Sequence, residues 1–174
     1  MSYKNENMKM IELHENGLDI RFRIRENGVV ELADFSSQEV KKAIMEPKED
    51  ICYPAVEIHR SGTGSLNMHA YKNNINQSSV DFVYENHELK EQDGGKELEI
   101  VMVSTEKLKA VYHMRLFDGV PAVQTWTEII NEGSEDQGLT YVSSFMYQGI
   151  SRGGEKPYYK KTDIYVPFNS WCCE

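Results

Sequence analysis

The stretch Leu18-Asp19-Ile20-Arg21-Phe22-Arg23-Ile24-Arg25-Glu26-Asn27-Gly28-Val29-Val30-Glu31-Leu32-Ala33 carries the reading of the fold. Leu18, Ile20, Phe22 and Ile24 alternate with Asp19, Arg21, Arg23 and Arg25. Successive side chains of a strand point to opposite faces, so this run predicts a half-buried strand with its charged face in water. Asn27-Gly28 then separates it from a second apolar run. Asn and Gly tolerate the positive φ that a tight hairpin turn demands, so the pair predicts a hairpin.

The same period continues along the chain. Ser79–Tyr84 reads as a strand, and Glu88–Lys90 as a second short one before the turn Asp93-Gly94-Gly95. Lys96–Thr105 places Leu98, Ile100 and Met102 on one face and Val101 and Val103 on the other, as expected of a central strand covered on both sides. Leu108–Leu116 alternates cleanly, Asp118-Gly119 turns the chain, and Val120–Asn131 is a long strand holding Trp126. Leu139–Gln148, Lys156–Lys160 and Asp163–Val166 resume the pattern. Phe35–Met45 breaks it, and reads equally well as a short helix or an irregular loop stopped by Pro47. Residues 1–9 form a polar, disordered or extended lead-in. The sum is an all-β chain, an antiparallel β-sandwich of roughly ten short strands with at most short helices.

Composition narrows the function. The chain has 174 residues, a formal net charge of −9 and 40% hydrophobic residues. That length suits one domain burying roughly two thirds of its unfolded surface. The acidic balance excludes a phosphate-tracking surface, so no nucleic-acid partner is expected. The longest apolar run, Ile100–Val103, is too short to span a bilayer, and Met1–Met10 lacks a signal-peptide core, so no membrane partner is expected either. Cys52, Cys172 and Cys173 cannot all pair within the chain, which fits a reduced, cytoplasmic setting.

Motifs with built-in chemistry are scarce. His14, His59, His69, His87 and His113 show no metal-binding spacing, CxxC is absent, and neither a metal nor any cofactor is expected. Gly62-Thr63-Gly64 lacks the third glycine of a dinucleotide loop and reads as a turn. No GxSxG supports an activated serine. Glu57, Asp118, Glu128 and Asp163 lie near apolar strands, but their spacing singles out no catalytic pair. Tyr112, Trp126, Tyr141, Phe145 and Tyr147 sit at strand spacing and read as core. Trp171 differs: it lies in a Pro/Asn/Ser loop beyond the last strand, where an indole can stack on the apolar face of a sugar.

Two segments carry a resemblance. Leu98–Gly133, ending Val123-Gln124-Thr125-Trp126-Thr127-Glu128-Ile129-Ile130-Asn131-Glu132-Gly133, resembles the N-terminal β-supersandwich domain of glycoside hydrolase family 36 α-galactosidases. The tail Val166-Pro167-Phe168-Asn169-Ser170-Trp171-Cys172-Cys173-Glu174 is similar to that family's segment leading from the sandwich to the catalytic barrel. The hairpin from Leu18 to Phe35 fits the family's first hairpin. The resemblance implies a galactose-mutarotase-like supersandwich over residues 10–174, truncated before the barrel. It implies that the full-length enzyme hydrolyses terminal α-D-galactosyl residues with two aspartates of a downstream catalytic barrel. No catalytic residue is then expected in this chain, which alone should be inactive. Trp171 matches the family's substrate-lining Trp and is the one expected substrate-binding residue. An α-galactoside, the barrel and further copies of the chain, in a homo-oligomer, are the implied partners.

Supersandwich folds also host sugar mutarotases, in which a His and a Glu act as acid and base at the anomeric carbon. A free-standing aldose mutarotase would here draw on His59 or His113 with Glu128. A carbohydrate-binding module is the third reading.

Overall fold

The computed structural model describes residues 9–37, 53–64 and 77–147. Nine strands and one short helix occur among them, and all strand pairing is antiparallel. Strands β1 (Lys9–Glu15), β2 (Leu18–Ile24) and β3 (Val30–Ser37) form a three-stranded meander. Strands β5 (Val83–Gln92), β6 (Gly95–Val103), β7 (Leu108–Phe117) and β8 (Val120–Asn131) form a four-stranded one. The short strands β4 (Ile58–Arg60) and β9 (Leu139–Val142) pair with each other, and helix α1 (Gln77–Val80) lies beside β4.

The two meanders share one core. Ile11, Leu13, Ile20, Phe22 and Leu32 of the first pack into the same cluster as Leu98, Ile100, Ala110, Tyr112 and Met114 of the second. The rings of Phe22 and Tyr112 meet edge to face, 5.7 Å apart. Burial pushes the Tyr112 phenol well above its usual range, while its hydrogen bond to Thr125 pulls the other way. Polar links tie the sheets at their edges. The Asn16 side-chain amide donates to the carbonyl of Phe117 (2.9 Å) and accepts from the Gly119 N–H (2.9 Å). The Tyr84 N–H donates to the Gly28 carbonyl (2.8 Å). The all-β sandwich expected from the alternation is the observed architecture.

Several local expectations change. The two-residue turn with both central φ positive is Asn16-Gly17 (φ 52° and 83°), joining β1 to β2 one hairpin earlier than expected. At Asn27-Gly28 only Gly28 is left-handed (φ 84°), in a longer loop closed by Gly28 N–H to Arg25 and Arg25 N–H to Val29. Phe35–Ser37 continues β3: a bulge opposite Arg21 and Phe22 inserts Ala33 and moves the inward positions from Val30 and Leu32 to Phe35. The rest of the supposed helix or loop, from residue 38, lies outside the described residues, as do the expected strands after residue 147.

The charged face of β2 is only partly in water: Asp19 and Arg21 are half-buried and Arg23 is buried. Arg23 and Glu31 are both buried, and Arg23 donates to Glu31 Oε2 from Nε (2.9 Å) and from a terminal nitrogen (2.7 Å). Arg25 and the Tyr53 N–H donate to Glu31 Oε1 at 3.2 and 3.0 Å. A buried carboxylate survives only with such donors. Helix α1 takes in Ser79 and Val80, where the strand Ser79–Tyr84 was expected to begin, and the two fragments around Tyr84 and Lys90 are one strand, β5, bulged between Tyr84 and Asn86. No helix among the described residues is long and apolar enough to cross a membrane.

Candidate functional site

A cleft of about 610 Å³ opens beside the β4–β9 pair, lined by Glu57, His59, Thr140, Tyr141, Ser143, Phe145 and Met146. Strand register builds it. His59 faces Tyr141 directly across the two strands, and their rings lie 5.1 Å apart at a 50° tilt. Glu57 precedes β4 by one residue and is buried, and its Oε1 lies 3.0 Å from His59 Nε2. The backbone at Glu57 is gripped by Ser143: the Glu57 N–H donates to Ser143 Oγ (2.8 Å), and the Ser143 N–H donates to the Glu57 carbonyl (2.9 Å).

Helix α1 holds β4 from its other side. Ser79 Oγ accepts from the Ile58 N–H (2.8 Å) and donates to the Ile58 carbonyl (2.9 Å), as a neighbouring strand would. Ser78 Oγ accepts from the Arg60 N–H (3.2 Å) and also reaches the Ile58 carbonyl. Both serines are fully buried. The Gly62-Thr63-Gly64 turn closes on Arg60 through the Thr63 N–H (3.2 Å) and hydroxyl (2.7 Å).

The cleft combines a flat aromatic wall with hydroxyls, an imidazole and a carboxylate, which are the groups a sugar's C–H face and hydroxyls engage. Tyr141 is 51% exposed and Phe145 40% exposed, so neither belongs to the core as the alternation suggested. Phe35 supports Phe145 from behind, ring edge to ring face at 5.5 Å. Tyr112, by contrast, is core as expected. Trp171, the expected sugar contact, lies outside the described residues, as do His69 and Asp163.

A second constellation occupies the outward face of the four-stranded sheet. Glu99, His113 and Trp126 stand in one cross-strand row over β6, β7 and β8. Trp126 stacks flat on the His113 imidazole, 4.6 Å between centroids and 6° between planes. His113 Nδ1 lies 2.8 Å from Glu97 Oε1 and 3.9 Å from Glu99 Oε1, and Nε2 lies 3.8 Å from Glu128 Oε2. The structure therefore brings His113 to Glu128, one of the two pairings considered from sequence; His59 instead has Glu57. Glu97, Glu99 and His113 could together hold a metal ion. Glu97 escaped the sequence reading, although its place opposite Leu98 and Ile100 in the alternation was the available signal. Glu97 is buried, and Gln92 donates to its Oε2 at 2.7 Å.

No family model matches the chain. No curated protein matches it in sequence. Among solved structures, it is similar to the GH36 α-galactosidase AgaA of Geobacillus stearothermophilus, at 12% identity and a TM-score of 0.49. That match covers 73% of this chain and 23% of the enzyme. A doubly substituted variant of the same enzyme in complex with raffinose matches at 11% identity and a TM-score of 0.47, over 72% of this chain and 22% of the variant. The chain is thus similar over most of its length to less than a quarter of a GH36 α-galactosidase.

Proposed function

We propose that this chain is the non-catalytic β-sandwich of an α-galactosidase, lending one wall to a galactose site while a separate barrel carries the hydrolytic aspartates. The observation that carries the reading is the make-up of the cleft: among the described residues its only carboxylate is Glu57. A retaining glycosidase needs two carboxyl groups about 5–5.5 Å apart across the scissile bond. Tyr141, Phe145 and the hydroxyls of Thr140 and Ser143 suit stacking and hydrogen bonding to a sugar without supplying that second carboxyl. The motif resemblance around Trp126–Gly133 and Trp171 supports the choice of α-galactosides. In this reading Trp171 contacts the sugar, the sandwich packs on the barrel, copies of the chain assemble into an oligomer, and the enzyme works in the cytoplasm.

The purified chain, incubated with an aryl α-galactoside, is expected to give no turnover. Turnover that disappears in Glu57→Gln would overturn the proposal. The reading frame of the parent gene is expected to encode a barrel with two strand-end aspartates after residue 174.

A second reading has its own observation. The hydrogen-bonded His59–Glu57 pair is an acid–base unit inside the cleft, as an aldose mutarotase would need. Polarimetry on freshly dissolved α-galactose separates the two: the α-galactosidase reading expects mutarotation at the uncatalysed rate, and acceleration lost in His59→Asn would favour the mutarotase.

A further inference from the structure

We propose that the outward face of the four-stranded sheet carries a divalent transition-metal site, ligated by Glu97, Glu99 and Nδ1 of His113, with Glu128 accepting the hydrogen of Nε2. The site is independent of the cleft beside β4 and β9. Its ligands stand on β6 and β7, the two central strands of the sheet, where pairing on both sides holds their backbones.

The carboxylates are already divided between two tasks. Gln92 donates to Glu97 Oε2 (2.7 Å), and Lys90 donates to Glu99 Oε2 (2.5 Å). The other oxygen of each, Oε1, faces His113 Nδ1, at 2.8 and 3.9 Å. One ligand atom from each of the three residues lies within 4.8 Å of the other two. Metal–nitrogen and metal–oxygen bonds of roughly 2.0–2.2 Å place two donors of one ion roughly 3–4 Å apart, so small side-chain shifts close the site. Gln92 and Lys90 would then orient the ligands from behind, as outer hydrogen-bond partners of metal-bound carboxylates do. Imidazole with carboxylates suits zinc, cobalt, nickel or iron, and the three glutamates still outnumber the neighbouring cations, Lys90 and, opposite Glu97 in the register, Arg115.

The imidazole supplies an independent sign. His113 is only 8% exposed, and its Nε2 is buried with no hydrogen-bond partner. With Nδ1–H donated to Glu97, a neutral ring turns its Nε2 lone pair toward the Glu128 carboxylate 3.8 Å away, acceptor against acceptor, and only a second ring proton or a metal on Nδ1 gives Glu128 a hydrogen to accept. A metal on Nδ1 reverses this. A neutral ring then carries its single hydrogen on Nε2, where Glu128 accepts it, and no proton is lost; an imidazolium releases one proton on binding. The metal-bound tautomer thus satisfies both ring nitrogens.

The test uses the untagged chain with Cys172→Ser and Cys173→Ser, which removes the adjacent thiols as competing ligands. Co²⁺ and Zn²⁺ are titrated by calorimetry, by Co²⁺ visible absorption and by emission of Trp126, which stacks on His113. Binding is expected at one ion per chain, with quenching by Co²⁺. Glu99→Gln is expected to weaken it at least tenfold, and Glu128→Gln about tenfold, in line with outer-shell partners. Both side chains are partly exposed, so thermal unfolding without metal should stay near the parent's and keep the test valid even if His113→Asn does not fold. Failure to bind either ion below millimolar concentration, or full affinity in Glu99→Gln, would overturn the proposal.

Discussion

His14 and His87 both lie on exposed strand positions, yet their surroundings push them in opposite directions. His14 stands opposite Asp19 in the β1–β2 register, with its Nδ1 2.6 Å from that carboxylate. This hydrogen bond, foremost, raises its pKa above 6.5. His87 is lowered below 6.5, first by burial and then by the ammonium of Lys9. Lys9 donates to the Tyr84 hydroxyl at 2.9 Å, which leaves that hydroxyl free to donate to His87 Nδ1 at 2.8 Å and favours the neutral ring. The signs follow by linkage. The folded state takes up a proton at His14 more readily than the unfolded state, so that contribution is full below pH 6.5 and lost as pH rises through the folded value. His87 resists protonation, so its contribution is full above pH 6.5 and lost as pH falls through the folded value. NMR titration of the ring protons should place the His14 midpoint above 6.5 and the His87 midpoint below it. Asp19→Asn should bring His14 down, and Lys9→Met should bring His87 up; unmoved midpoints would contradict both assignments.

Turns and bulges at the level of the element explain where alternation fails as a guide. Ala33 in β3 and the residue between Tyr84 and Asn86 in β5 each add one position, and the inward face changes parity there. A strand whose parity changes reads as two fragments, or as a helix start at Phe35. The β5–β6 turn shows how tightly such points are built. Gly95 opens β6 with φ 156°, and a Cβ there would lie 1.9 Å from the carbonyl oxygen of Leu116 on β7. That atom is backbone within a paired strand and cannot move aside cheaply. Gly95→Ala is therefore expected to cost about 3 kcal/mol or more, read by denaturant unfolding. Gly94→Ala, with open space around its Cβ but also a left-handed φ of 75°, should cost about 1 kcal/mol.

Across the whole molecule, stability depends on two sheets that share one core and few covalent neighbours. Phe22 has no exposed surface and meets Tyr112 across the interface. Phe22→Ala is expected to destabilise by about 3–5 kcal/mol, since facing strands cannot collapse into the void. Loss of the calorimetric transition of both sheets together would show that they fold as one unit. Two separate transitions, with the β5–β8 sheet unaffected, would refute the shared core. The cleft also belongs to this scale. Glu57 and Ser143 meet only because residues 86 positions apart in the chain are brought together at β4 and β9.

The alternation around Leu18–Ile24 and Leu108–Leu116 was enough to establish strands, their inward residues and an antiparallel all-β architecture, because a half-buried strand repeats every two residues. Tertiary structure alone decided what the other faces do. Arg23 reads as a solvent-facing charge but is buried against Glu31, and Tyr141 and Phe145 read as core but line an open cleft. The pairing of His59 with Glu57 and of His113 with Glu97 likewise depends on how strands and turns meet in space. Period-two patterning records which side chains share a face, whereas burial, charge pairing and cleft formation depend on what packs over that face. That neighbour comes from a distant part of the chain, which local sequence does not encode.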